Sequence, residues 1–515
     1  MKNVAFLGIG ICLLFLSCSY ATNDQNTDKD RLPNPVIKAG IAKVDGKLSN
    51  FHRKKGEENP TLILAIQNPV TAEESTFKTQ LGEDGSFHFE VPVECNVNIG
   101  LIGSEIFQDN AVGVALIPGK ETKMEILYDE TGDLKADMVS SLGLASGDLP
   151  NFYKMFIKFI EDRYSEPFYT MTPEDFSHLA IKKLMVERLK RSINDSILSG
   201  KAKNYITDEC KLKYLNGSLL TYHDYIARNY RNTKPKGEPD NFTPQEPKRS
   251  YYAFLKDFNL GNPQYLYNGM GTYTEVLQTI LSNEKLNIPA IKDTPIQDWL
   301  KEVKKNIADL IGSDKGLFYD LLVANAYARQ FNNELKPLSD KQKENIRSYF
   351  KDEEIAKILL RKNEEVIKLE AEKNYFKTNI NTTPAVPKEE LMKAIISKYK
   401  GKAVVVDFWA TWCGPCMNAM TETRDVKREL HDKNIAFVYI TNVSSPKKLW
   451  EEKINSIGGE HYYLSQDEWV YIMGKFGFEG IPSYLFYDPK GVMKNKVTAY
   501  PGSEKMKKMI KELLD

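Results

Sequence analysis

Phe408-Trp409-Ala410-Thr411-Trp412-Cys413-Gly414-Pro415-Cys416 lies directly behind the apolar run Ala403-Val404-Val405-Val406. The run reads as a buried strand, and the Gly-Pro between two cysteines as the entry to a helix. Two thiols at this spacing can close into a small ring and reopen without moving the rest of the chain. Cys413 falls where the helix begins, and there unpaired backbone N–H groups and the helix dipole favour thiolate over thiol. The thiolate is the attacking species. Cys413 is therefore the expected nucleophile of a redox-active disulfide, with Cys416 as its resolving thiol.

Outward from this motif, strands and helices alternate over residues 388–515. Strands are expected at 403–410, 436–442, 483–487 and 492–499, and helices from the cysteines and at 446–457, 467–476 and 503–514. Such alternation argues for a mixed α/β sheet flanked by helices.

The stretch resembles the thioredoxin superfamily, and most closely its exported TlpA/ResA-like thiol–disulfide oxidoreductases. The resemblance covers the last quarter of the chain. Its anchors are Val406-Asp407-Phe408 through Cys416, and Gly480-Ile481-Pro482-Ser483-Tyr484-Leu485-Phe486. It implies a thioredoxin-like fold in which Asp407 is a buried carboxylate that takes the proton of Cys416. It also implies that Pro482 is a cis-proline presenting the Ile481 backbone to substrate, with Trp412 beside Cys413. Thioredoxins place a lysine near that carboxylate, on the strand matching 436–442. No lysine stands there, so Asp407 is expected to lack a counter-charge. A zinc site would need two further ligands, and there is no second Cys-x-x-Cys. His431 and His461 read as surface residues, so neither metal nor cofactor is expected.

The other end supplies a compartment. Lys2 followed by an apolar run over 4–16 reads as an export signal, too short to be a permanent membrane span. Phe15-Leu16-Ser17-Cys18 looks like a lipobox, giving a signal over 1–17, lipid on Cys18 and a polar tether over 18–34. Cleavage after Ala21 is the alternative, through Ser19 and Ala21. Of six cysteines, Cys12 would leave with the signal, and Cys95, Cys210, Cys413 and Cys416 would stay as thiols. So few in so long an exported chain are no disulfide scaffold. Cys95 and Cys210 read as buried core residues, a bridge between them being the alternative.

With 515 residues the chain has room for three domains, and 70 basic against 70 acidic residues leave it formally neutral. No sustained basic patch argues for nucleic acid. Residues 35–140 show short apolar stretches at 36–44, 61–67, 97–102, 112–117 and 122–128. Asp45-Gly46, Asp84-Gly85 and Pro118-Gly119 separate them as turns. Phe87, Phe89, Val91 and Val93 alternate with polar neighbours beside Asp84-Gly85, the clearest hairpin, so an all-β sandwich is expected.

Over 145–375 the period turns helical and an all-α domain is expected. Trp299, Val303, Ile307 and Leu310 share a face, as do Ile355, Ile358, Leu359, Val366 and Leu369. Thr172, Thr294 and Ser339 carry N-cap signatures. Residues 234–248 read as a surface loop. Tyr251, Tyr252, Tyr265 and Tyr267 read as packing residues with their hydroxyls in water, or as the lining of a partner groove. Residues 376–387 read as a linker.

The combined expectation is a lipid-anchored envelope oxidoreductase on the periplasmic side, taking electrons from a membrane donor. It would reduce disulfides in exported proteins, for which the family suggests apocytochromes and so cytochrome c biogenesis. Gly-Pro between the cysteines favours reduction, with a potential near roughly −270 mV. The alternative is an envelope lipoprotein whose upstream domains bind a glycan or a protein, with an accessory redox module.

Overall fold

A computed structural model describes residues 30–50, 59–107, 110–128, 134–139, 142–145, 147–161, 166–193, 198–239, 242–371 and 377–514. The expected signal, Cys18 and most of the tether lie outside the described residues. Residues 30–34 behave as part of the folded body. Leu32 is buried in the helical core, Gln264 donates to the Leu32 carbonyl at 2.9 Å, and the Tyr267 hydroxyl donates to the Pro33 carbonyl at 2.8 Å.

The N-terminal region is β-rich. Its strands are β1 (Ile37–Ser49), β2 (Thr61–Gln67), β3 (Glu74–Gln80), β4 (Ser86–Cys95), β5 (Asn98–Ser104), β6 (Ala111–Leu116), β7 (Glu121–Tyr128) and β8 (Leu134–Val139). They form two four-stranded sheets, β4-β1-β7-β8 and β3-β2-β5-β6. One apolar core joins them, drawing Val44, Phe89, Val91 and Ile126 from the first sheet and Leu64, Ile102 and Val114 from the second. The β1–β7 pair is parallel, so the region is not a simple antiparallel sandwich.

Two expected turns are corrected. Asp45-Gly46 continues β1, where Gly46 faces Phe87. A Cβ on Gly46 would come within 2.2 Å of that ring, so the glycine makes room for the aromatic rather than a bend. Asp84-Gly85 links β3 to β4, but β3 pairs with β2 and β4 with β1. It is a crossing between sheets, not a hairpin.

Among the described residues from 148 to 371 the regular elements are helical. They include α1 (Asp148–Glu161), α2 (Pro173–Leu179), α3 (Met185–Ser192), α4 (Gly200–Tyr214) and α5 (Tyr222–Thr233). There follow α6 (Thr272–Ser282), α7 (Ile296–Ile311), α8 (Leu317–Glu334), α9 (Asp340–Phe350) and α10 (Glu354–Ala371). Thr172 caps α2, and Ser339 with Gln342 forms a capping box on α9. Thr294 does not cap α7, whose N-cap is Pro295 with no side-chain bond. The four tyrosines are buried, and their hydroxyls do not all reach water: Tyr251 donates to the Leu219 carbonyl at 2.9 Å and Tyr265 to that of Phe258 at 2.7 Å.

The C-terminal region is an α/β domain with β9 (Thr378–Ile380), β10 (Ala403–Phe408), β11 (Ile435–Asn442), β12 (Gly459–Leu464), β13 (Ser483–Tyr487) and β14 (Met493–Thr498). Its helices are α11 (Lys388–Ser397), α12 (Gly414–Glu429), α13 (Lys447–Ile457), α14 (Gln466–Phe476) and α15 (Ser503–Leu514). The six strands lie in the order β14-β13-β10-β11-β12-β9. β9 sits inside the expected linker: residues 378–380 pair with β12 and extend the sheet. β10 is buried on both faces, as a strand with helices above and below must be. Val404, Val406 and Phe408 pack towards α11 and α14, and Ala403 and Val405 towards α12 and α15.

Candidate redox site

β10 ends at Phe408 and the chain turns into α12 over the five residues 409–413. Trp409 N–H donates to the Ile440 carbonyl at 3.0 Å, and Thr411 N–H to the Ser445 hydroxyl at 3.0 Å, which ties the turn to β11 and the loop after it. Cys413 is the N-cap of α12 and Pro415 stands in its first turn. Proline is tolerated there because that N–H has no partner within the helix.

Cys413 and Cys416 form a disulfide, with their Cα atoms 5.3 Å apart. The Cys416 N–H donates to Cys413 Sγ at 3.2 Å. Cys416 is fully buried and Cys413 retains 4 % exposure, while Trp412 beside them is 64 % exposed. The Trp412 ring N–H donates to the Ser444 hydroxyl at 3.1 Å. Across the site, the Ile481–Pro482 peptide is cis. The Ile481 carbonyl oxygen lies 3.7 Å from Cys413 Sγ; a disulfide sulfur has no proton to donate, so this is a contact rather than a hydrogen bond. The backbone after Ile481 is held by the Ala499 N–H, which donates to the Pro482 carbonyl at 2.9 Å. Cys413, Cys416, Trp412, Ile481 and Pro482 therefore meet at one mouth.

Asp407 lies beneath it. Two residues from each along the extended chain, it shares a face with Val405, which packs with Val426 of α12, and with Trp409, which packs with Cys416. It therefore faces α12, between Tyr439 of β11 and Tyr484 of β13 in register. The carboxylate is buried and its Oδ1 has no hydrogen-bond partner, so burial pushes its pKa up to about 8. The positive charge of Lys427 works against that rise.

Lys427 corrects the expectation of an uncompensated Asp407. β11 carries no lysine, and the cation comes instead from the third turn of α12 beyond Cys416. Its ammonium donates to the carbonyls of Ile457 at 2.8 Å and Gly458 at 3.2 Å, and lies 4.7 Å from the centre of the Tyr439 ring. Burial, first, and then Arg424 lower its pKa. Cys416, Ala419, Met420, Thr423, Val426 and Lys427 form the buried stripe of α12. That spacing could have placed Lys427 inward from the sequence. A helical lysine ordinarily reads as solvated.

His461 is also corrected, from surface to interior. It sits on β12, stacked on Tyr439 at 5.1 Å, and burial with Lys427 lowers its pKa to about 3. Cys95 and Cys210 are separate buried thiols, so the alternative bridge does not form. Among the described residues no group of three or more His, Cys, Asp or Glu is placed to hold a metal ion, and no helix is long and apolar enough to cross a membrane.

Residues 384–499 match the Redoxin family. The chain is 25 % identical over 118 residues to the thiol–disulfide oxidoreductase ResA of Geobacillus thermodenitrificans, covering 23 % of this chain and 67 % of that one. An uncharacterized protein of Haemophilus influenzae is 33 % identical over 118 residues, covering 22 % and 74 %. A solved thioredoxin domain of a thiol–disulfide oxidoreductase from Bacteroides vulgatus is 19 % identical with a TM-score of 0.21, covering 23 % of this chain and 84 % of that one. With a strand-to-helix turn that ends in a closed Cys413–Cys416 pair, the C-terminal domain belongs to the redoxins, and the chain is a thioredoxin-like thiol–disulfide oxidoreductase.

Proposed function

We propose that the protein reduces disulfides in exported proteins, with Cys413 attacking and Cys416 resolving. The observation that carries this reading is the asymmetry of the pair. Cys413 caps the helix N-terminus and keeps 4 % exposure beside the open Trp412, and Cys416 lies behind it with none. In the reduced protein the helix dipole and the Cys416 N–H stabilise a thiolate on Cys413. That thiolate attacks one sulfur of a substrate disulfide and expels the other as a thiolate, leaving a mixed disulfide on Cys413. Cys416 then gives its proton to the Asp407 carboxylate and attacks Cys413 Sγ. The second substrate thiol leaves, and the Cys413–Cys416 disulfide returns. Two electrons and two protons from a membrane dithiol donor reset the pair.

In this reading an extended substrate segment lies along the Ile481 backbone next to Pro482, with Trp412 as the adjoining wall. Lipid on Cys18 would hold the chain at the periplasmic face of the cell envelope, and apocytochrome cysteines fit the substrate class. Replacement of each cysteine in turn tests the assignment. Cys416→Ala is expected to accumulate mixed disulfides that dithiothreitol releases, and Cys413→Ala to form none. Equal trapping by both variants would overturn the assignment of roles.

A further inference from the structure

The mouth of the redox site has a second wall, contributed by the N-terminal sheets. Glu74 begins β3, an edge strand, and meets α12 across 344 residues of chain. Asn418 Nδ2 of α12 donates to Glu74 Oε1 at 2.6 Å, and Gln67 Nε2 of β2 donates to Glu74 Oε2 at 2.8 Å. A Cβ on Gly414, the residue after Cys413, would lie 3.8 Å from Glu74 Oε2. Farther along, Lys78 of β3 pairs with Glu422 of α12 at 2.6 Å. Gly414, Asn418 and Glu422 recur at helical spacing and form one stripe of α12, so β3 runs down this stripe from the redox motif.

The charges along this contact are unequal. Lys78 and Glu422 neutralise each other, and Glu73 is paired with Lys362 at 2.7 Å. Both hydrogen bonds to Glu74 come from neutral amides, and among the described residues no cation lies within ion-pair distance of it. A carboxylate bonded only to neutral amides is thus held beside the exposed Gly414-Pro415 edge, next in the chain to Cys413.

We propose that Glu74 is a specificity-determining residue, favouring protein disulfides in which lysine or arginine flanks the attacked cysteine. The proposal rests on the reductase reading above. An ion pair across the mouth would form in the mixed disulfide and in the approach to it. Being solvent-exposed, it is worth a modest factor and is screened by salt.

The test compares two cystine-bridged peptides that differ only in the flanking residue, lysine in one and glutamine in the other. Both are reduced by the full chain in its dithiol form, and the reading is the ratio of their kcat/KM values. Both peptides meet the same Cys413, so the ratio cancels any change in thiol reactivity. The expected ratio is about 3 to 10 in favour of lysine at low salt, falling towards one at about 1 M salt. Glu74→Gln, which keeps the shape and one acceptor oxygen for the two amides of Asn418 and Gln67, should bring the ratio to about one, and Glu74→Lys should invert it. A ratio of one in the unmodified protein, or one that Glu74→Gln leaves unmoved, overturns the proposal. Hydroxyethyl disulfide separates the two layers. If the unmodified protein turns it over, an unmoved ratio sinks only the role of Glu74; if it does not, the reductase reading falls and takes the proposal with it.

Discussion

A carboxylate without water around it holds its proton, and at Asp407 that single fact links stability to turnover. Its folded-state pKa is raised from 3.8 to about 8, by burial first. The stabilisation from its tighter proton binding is complete below the unfolded value and is lost as pH rises through about 8. Asp407→Asn removes this dependence. The stability difference should shift in favour of the variant as pH rises from about 4 to 8, by at most about 1.4 kcal/mol per pH unit. Urea denaturation at several pH values checks it, and a flat difference would contradict a buried, protonated Asp407. The same variant should slow resolution of the mixed disulfide roughly 10²-fold, the ordinary contribution of a placed base, measured by rapid-quench alkylation. Lys427→Met removes the positive charge that restrains the Asp407 pKa. The rising limb of the kcat/KM–pH profile should then move to higher pH; an unmoved limb would leave Lys427 as packing alone. The cysteines and Asp407 were legible because their chemistry sits within one local run of sequence. Lys427 and His461 were not, because each is turned inward by an element whose facing depends on the rest of the sheet.

At the scale of elements, the cap signatures of Thr172 and Ser339 held because the side chain itself makes the bond, whereas the cap at Ser465 emerges only in the structure. Ser465 and Glu468 form a capping box on α14, with Ser465 Oγ accepting from the Glu468 N–H at 3.4 Å. Ser465→Ala should cost about 1 kcal/mol in denaturant unfolding, and no loss would mean that packing alone fixes the start of α14. Thr294 carries a similar signature, yet the backbone carbonyl of Pro295 accepts the first helical bond, from Trp299 at 3.0 Å. β10, β11 and β13 were readable because they are apolar and buried on both faces. β3 was not: as an edge strand it carries Glu74, Lys78 and Gln80 facing outward and few apolar residues. β9 spans three residues and exists only because β12 offers a free edge. The pairing of β4 with β1 rather than β3 is a property of the sheets together, which alternation along a single strand cannot report.

Across the whole molecule the sheets, the helices and the redox domain are packed together. Phe152 of α1 lies against β6 in space that a side chain on Gly113 would fill, its Cε1 2.0 Å from where a Cβ would be. Gly113→Val should therefore destabilise by about 1–3 kcal/mol through overpacking, seen as earlier denaturation and faster proteolysis at this contact; unchanged stability would show that the contact yields freely. α13 packs on α8, where Arg329 and Glu452 pair at 3.2 Å, while β3 reaches α12 through Asn418 and Glu422. The redox helix is thus gripped from the side that carries Cys413, an arrangement that only the assembled chain discloses. The direction in which this assembly moves electrons is the central claim, and the equilibrium reduction potential of Cys413–Cys416, taken by titrating the full chain in dithiothreitol and glutathione buffers, tests it most directly. A reductase should read near roughly −270 mV, whereas a potential above about −200 mV would contradict the account and assign the site to disulfide formation or isomerisation.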